Sequence, residues 1–147
     1  MEAASCGSIL AAGSKGKGIT LGINVPGLER KNPCVQEYFE ISHFFARKYL
    51  LTHFSDAFVI FPGGFGTLDE LAEILTLMKV HKMPRLPIIL IGVSYWEPFM
   101  VWLREQVVVH GAISNKDLDV FVVTDDLDRA YSLACASCMV ASPRQKK

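Results

Sequence analysis

With 147 residues, half of them apolar and a fifth charged, the chain is long enough for one domain with a real core and too apolar to be disordered. Its formal net charge of zero gives no reason to expect nucleic acid or an anionic membrane as a partner. No apolar run approaches the roughly 20 residues of a membrane span, and no basic segment leads into an apolar one at the N-terminus. A cytoplasmic protein with reduced thiols is therefore expected.

Met1 to Ala12 is rich in small residues and reads as a helix that Gly7 weakens. Gly13 to Gly18 (GSKGKG) is a turn. It is not a P-loop, because its glycine spacing is wrong and no Ser or Thr directly follows Lys17. Ile19 to Asn24 is a short apolar strand, and Val25 to Cys34 is a loop marked by Pro26, Gly27 and Pro33. Val35 to Thr52 predicts a long helix, with Tyr38, Ile41, Phe45 and Tyr49 recurring on a core-facing side and Glu40, His43 and Arg47 on another.

Ala57 to Phe61 is a wholly apolar strand that runs into Pro62-Gly63-Gly64-Phe65-Gly66-Thr67 and then an amphipathic helix. Leu68, Leu71, Leu75 and Met78 form the apolar stripe of that helix. Glycine at 63, 64 and 66 permits positive φ and close approach of a ligand to the backbone. Thr67 can cap the helix, whose free N–H groups suit an anion. Pro84 and Pro87 bracket a turn before the apolar strand Ile88 to Gly92. Tyr95 to Val109 is a helix in which Pro98 is tolerable only in the first turn. Leu118 to Thr124 is the last strand. Asp125 or Asp126 caps a final helix reaching about Met139, and residues 141–147 form a basic tail.

Strands that alternate with helices, two of them apolar throughout, predict a parallel sheet covered on both faces. Ligands of such sheets bind beyond the carboxyl ends of the strands, where the glycine turn lies. One domain over residues 1–140 is the simplest count. Cys135 and Cys138 have a redox or metal spacing, but they lie in an alanine-rich helix with no second pair, so packing is the favoured role and no metal is expected.

The candidate chemical groups each have an ordinary reading as well. Glu70 can complete a capping box with Thr67 or complement the helix dipole. Arg47 can pair with His43 or Glu40 on a solvated face, with Lys48 beside it. Glu29 can be an exposed loop acid.

Together, Pro62-Gly63-Gly64-Phe65-Gly66-Thr67-Leu68-Asp69-Glu70 and the upstream Arg47-Lys48 pair resemble the LOG family, historically labelled lysine decarboxylase-like. Glu29, Asn32-Pro33, Phe44-Phe45 and Tyr95-Trp96 extend the resemblance across nearly the whole chain. It implies a Rossmann-like, doubly wound parallel sheet in a three-layer α/β/α arrangement. It also implies a phosphoribohydrolase that cleaves the N-glycosidic bond of nucleoside 5′-monophosphates, acting as a homodimer and without a cofactor. A pyridoxal phosphate decarboxylase would need a Schiff-base lysine with an acid or Arg partner for the ring nitrogen, and no such set is apparent. On this resemblance Arg47 and Glu70 are catalytic, while Glu29, Lys48, Gly63, Gly64, Phe65, Gly66 and Thr67 bind substrate. In the family a glycine-rich loop and strands precede the run resembling Met1-Glu2-Ala3, so this chain is expected to lack the first strand or strands and a second phosphate-contacting loop. A non-catalytic nucleotide-binding module and a partner-binding fragment are the competing expectations.

Overall fold

The computed structural model describes residues 2–15, 19–27 and 32–140. The chain divides into two compact units, Met1–Phe54 and Ser55–Lys147. The expected tail, 141–147, lies outside the described residues.

The first unit contains α1 (Glu2–Lys15), β1 (Leu21–Asn24), β2 (Glu37–Glu40) and α2 (Phe44–His53). β1 and β2 pair in parallel, from Leu21 opposite Glu37 to Asn24 opposite Glu40. The long helix expected from Val35 is therefore a strand followed by a shorter helix. The reason lies in Glu37-Tyr38-Phe39-Glu40, whose two aromatic residues suit a strand and whose four residues all pair with β1, Tyr38 alone being half-buried. Backbone bonds from Gln36 and Glu37 to the Thr20 carbonyl, and from Ile41 to that of Asn24, extend the pairing at both ends. The helical spacing of Tyr38, Ile41, Phe45 and Tyr49 was thus misleading, and Phe45 and Tyr49 are exposed. The expectation of reduced thiols is also overturned. Cys6 of α1 is disulfide-bonded to Cys34 in the loop before β2, with their Cα atoms 4.8 Å apart.

The second unit contains β3 (Phe58–Ile60), α3 (Phe65–Lys79), β4 (Ile88–Ile91), α4 (Val93–Trp102), β5 (Phe121–Thr124) and α5 (Leu127–Val140). A π-helical turn, Leu103–Val108, continues α4, and a 3₁₀ turn, Asn115–Val120, leads into β5. The strands are parallel, in the order β3-β4-β5, and Phe58, Ile88 and Phe121 lie in register.

β4 is buried along its whole length, and its side chains divide between two layers by strand alternation. Ile88 and Leu90 join Phe58, Leu71, Ile74, Met78, Trp96 and Met100, so α3 and α4 cover one face. Ile89 and Ile91 pack with Ala130, against which Leu133 and Ala134 of α5 rest, so α5 covers the other. This is the expected α/β/α layering. Each buried aliphatic side chain contributes about 1.5–3 kcal/mol. The predicted stripe of α3 is present, with Leu71 and Met78 buried, Leu68 and Leu75 packed beside them, and Ile74 added.

β3 differs from expectation. Although its sequence is as apolar as that of β4, Val59 is exposed and only Phe58 is buried. It lies at the edge of this sheet, where one side lacks a covering layer at Val59. α4 begins at Val93 rather than Tyr95, because Gly92 adopts φ 106° and starts the helix earlier. Pro98 therefore falls beyond the first turn and withholds a donor from the carbonyl of exposed Ser94. β5 starts at Phe121 rather than Leu118 because Ser114 and Asp117 form a capping box that winds the preceding residues into the 3₁₀ turn. Cys135 is a free thiol, and among the described residues no group of His, Cys, Asp or Glu could hold a metal ion. No described helix is long and apolar enough to cross a membrane.

Candidate functional site

The carboxyl ends of the three strands of the second unit carry the candidate site. β3 leaves the sheet through exposed Phe61 and Pro62 into the glycine turn. α3 then begins at Phe65, with Gly64 as its N-cap at φ −92° and ψ −151°. The helix thus starts two residues before Thr67, which lies inside its first turn, and no side chain caps it. The expected Thr67–Glu70 capping box does not form, and Glu70 occupies the second turn. None of Gly63, Gly64 and Gly66 has positive φ, so left-handed backbone is not why glycine stands there.

At Gly63 the reason is close approach. A Cβ at this position would lie 2.0 Å from the Thr67 Oγ1. Gly64 and Gly66 have nothing within 4 Å of where a Cβ would be, so the backbone on that side is open. The Gly64 carbonyl accepts from the N–H groups of Thr67 (3.0 Å) and Leu68 (3.1 Å). The N–H groups of Gly64, Phe65 and Gly66 have no acceptor among the described residues. Three free donors at a helix start, aligned with the positive end of its dipole, suit an anion. Phe65 between them is 92% exposed, an aromatic ring offered to solvent at the tip of the turn. Half-buried Glu70, one turn after Gly66, lies on the same side of α3.

The neighbouring strand ends brace this turn. Gly92 at the end of β4 would, with a Cβ, lie 3.0 Å from the Pro62 ring. The Tyr95 hydroxyl on α4 donates to the Gly63 carbonyl at 2.5 Å. Asp125, beyond β5, accepts from the Val93 N–H at 3.0 Å. Asp126, not Asp125, caps α5 by accepting from the Arg129 N–H at 3.0 Å. The sequence reading gave no role to Gly92 or Tyr95. Glycine directly after an apolar strand marks the former, and the Tyr95-Trp96 pair was visible without its geometry.

The other predicted residues lie in the first unit. Arg47 is half-buried on α2, where its Nε donates to the Ile23 carbonyl at 3.0 Å and its guanidinium stands 6.0 Å from the centre of the Phe44 ring. That replaces the expected pairing with His43 or Glu40. Lys48 follows it, also half-buried. Glu29 lies outside the described residues.

The second unit also has an apolar cavity of about 280 Å³ at the opposite, amino end of the strands, lined by Leu75, Met78, Trp102, Leu103, Val107 and Phe121. The signature residues are not there. They form an open turn whose chemistry is backbone donors, an aromatic ring and a carboxylate.

Residues 1–133 match the family model described as "Possible lysine decarboxylase". The chain is 28% identical over 123 residues to a probable cytokinin riboside 5′-monophosphate phosphoribohydrolase of Oryza sativa subsp. japonica, across 82% of this chain and 54% of that protein. It is 31% identical over 90 residues to the cytokinin riboside 5′-monophosphate phosphoribohydrolase of Mycobacterium marinum, across 61% and 47%. A second Oryza sativa phosphoribohydrolase of that name is 36% identical over 72 residues, across 47% and 28%. The chain spans about half the length of these relatives, or less. A family match over most of the chain, joined to the glycine turn at the strand ends, places this protein in the LOG family.

Proposed function

We propose that the chain is a phosphoribohydrolase, or the nucleotide-binding part of one, acting on nucleoside 5′-monophosphates such as AMP or a cytokinin riboside monophosphate. The observation that carries this reading is the start of α3, with three unaccepted N–H groups followed one turn later by Glu70. The names of the relatives supply the reaction class. The free N–H groups of Gly64, Phe65 and Gly66 are assigned to the phosphate, with Gly63 and Thr67 closing the turn that presents them and the Phe65 ring assigned to the substrate beside it. Breaking the bond between base and ribose builds positive charge on the sugar, and the Glu70 carboxylate is assigned to stabilise it. Arg47 grips phosphate or ribose oxygens through its planar fork, and Lys48 and Glu29 orient ribose and base. No cofactor enters this chemistry. A cytoplasmic homodimer is part of the same reading.

Incubation with AMP or a cytokinin riboside monophosphate is expected to release free base and ribose 5-phosphate. Glu70→Gln is expected to lower turnover by roughly a hundredfold or more while leaving nucleotide affinity within about threefold. Unchanged turnover would remove Glu70 from the mechanism. Open backbone donors bind a phosphate whether or not a bond is then cleaved, which supports a second reading, a module that binds nucleotide without hydrolysing it. Calorimetric binding of AMP with no base released would select that reading.

A further inference from the structure

We propose that Tyr95 is a positioning residue of the glycine turn, whose hydroxyl holds the Gly63 carbonyl and so aims the Gly64 N–H at the substrate phosphate. This rests on the phosphoribohydrolase reading given above.

The hydroxyl donates to the Gly63 oxygen at 2.5 Å. All peptide bonds among the described residues are trans. In a planar trans peptide the C=O and N–H point in opposite directions. Fixing the Gly63 carbonyl toward α4 therefore turns the Gly64 N–H away from α4, as the first of the three free donors. Two adjacent glycines hold little backbone preference of their own, so an outside contact must choose the orientation. Tyr95 is suited to do so. Its ring meets Trp96 edge-on at 5.0 Å between centroids, and Trp96 is completely buried in the core. The phenol is thus mounted on the rigid layer beneath the sheet end, while its exposed oxygen reaches the turn. The Pro62–Gly92 contact and the Gly63–Thr67 contact fix the turn on either side of that hydrogen bond.

The test is Tyr95→Phe, which removes one exposed oxygen and keeps the ring. In the ligand-free protein, the amide resonances of Gly64 and Phe65 are expected to shift. By calorimetry, AMP binding is expected to weaken roughly five- to tenfold while adenosine binding is unchanged. In turnover, KM is expected to rise by a similar factor with kcat nearly constant, because the phosphate is gripped alike in the ground and transition states. Weakening of AMP and adenosine together would indicate a general packing defect and overturn the inference. So would undisturbed Gly64 and Phe65 amides, or AMP affinity equal to that of the parent. Should the parent itself fail to prefer AMP over adenosine, the phosphate reading of the turn falls, and this inference falls with it. Should the parent prefer AMP and Tyr95→Phe prefer it equally, that reading stands and only the role of Tyr95 is lost.

Discussion

α3 and α4 begin alike and are completed differently. Each leaves the carboxyl end of a strand through a glycine, and each glycine carbonyl accepts two helical N–H groups. Gly64 receives Thr67 and Leu68, and Gly92 receives Tyr95 and Trp96. In α4 the first helical donor, Val93, is met by the Asp125 carboxylate. In α3 the equivalent donor, Phe65, meets no acceptor among the described residues, nor do those of Gly64 and Gly66. The other helix starts of this unit have side-chain caps, from Asp126 at α5 and from Ser114 with Asp117 at the 3₁₀ turn. An open helix start is therefore not a general property of this unit. It is confined to the turn that carries the family signature.

The largest test of that contrast is at Gly63. Gly63→Ala places a methyl group against Thr67, and is expected to cost about 1–3 kcal/mol in thermal unfolding and to abolish nucleotide binding. Gly66→Ala lies within the helix in open space, and is expected to gain about 0.5–1 kcal/mol instead. If both variants change stability in the same direction, the close approach at Gly63 is not what the turn depends on. At the other helix start, Asp125→Ala leaves Val93 without its acceptor and is expected to cost about 1 kcal/mol in urea unfolding, with nucleotide affinity little changed. Loss of nucleotide binding there would mean that the two starts are coupled.

The smallest effect is expected at Asp117 and depends on pH. The hydrogen bond from the Lys79 ammonium, and then that from the Ser114 N–H, hold the Asp117 carboxyl at about 2. Its folded value lies below its unfolded one, so this contribution is fully present above the ordinary aspartate range and is lost as pH falls toward about 2. Lys79 is half exposed, so solvent screening keeps the contribution below about 1 kcal/mol. Urea unfolding of Asp117→Asn between about pH 5 and pH 2 is expected to show a shallower acid limb than the parent. An unchanged slope would assign the acid sensitivity to other carboxylates.

Much of the second unit was legible because one local signal sufficed for each element. The four apolar residues of β4 require cover on both faces, and the 3.6-residue stripe of α3 requires one buried side. The signature turn was legible for the same reason, as glycines between an apolar strand and a periodic helix. Residues 35–43 were not, because Tyr38 and Ile41 fit the i, i+3 spacing of a helix, while the strand over Glu37–Glu40 is too short to show an alternation of its own. Only pairing with β1, a contact distant in sequence, decides between them. β3 and β4 could not be ranked as edge and centre from composition. The Cys6–Cys34 bond and the Tyr95–Gly63 bond join positions far apart in the chain, and no periodicity reports such pairs. The helix start at Gly64 was misplaced because Thr67 is a good capping residue by type, whereas here its side chain packs on Gly63.

Phe65 leaves one further consequence. Its ring is almost wholly in water and supports no part of the core. Exchange of this side chain for another should carry almost no folding penalty, unlike changes at Gly63 two residues earlier. Under the proposed function, ligand preference at this position can therefore drift, or be redesigned, without first securing compensating changes elsewhere in the molecule.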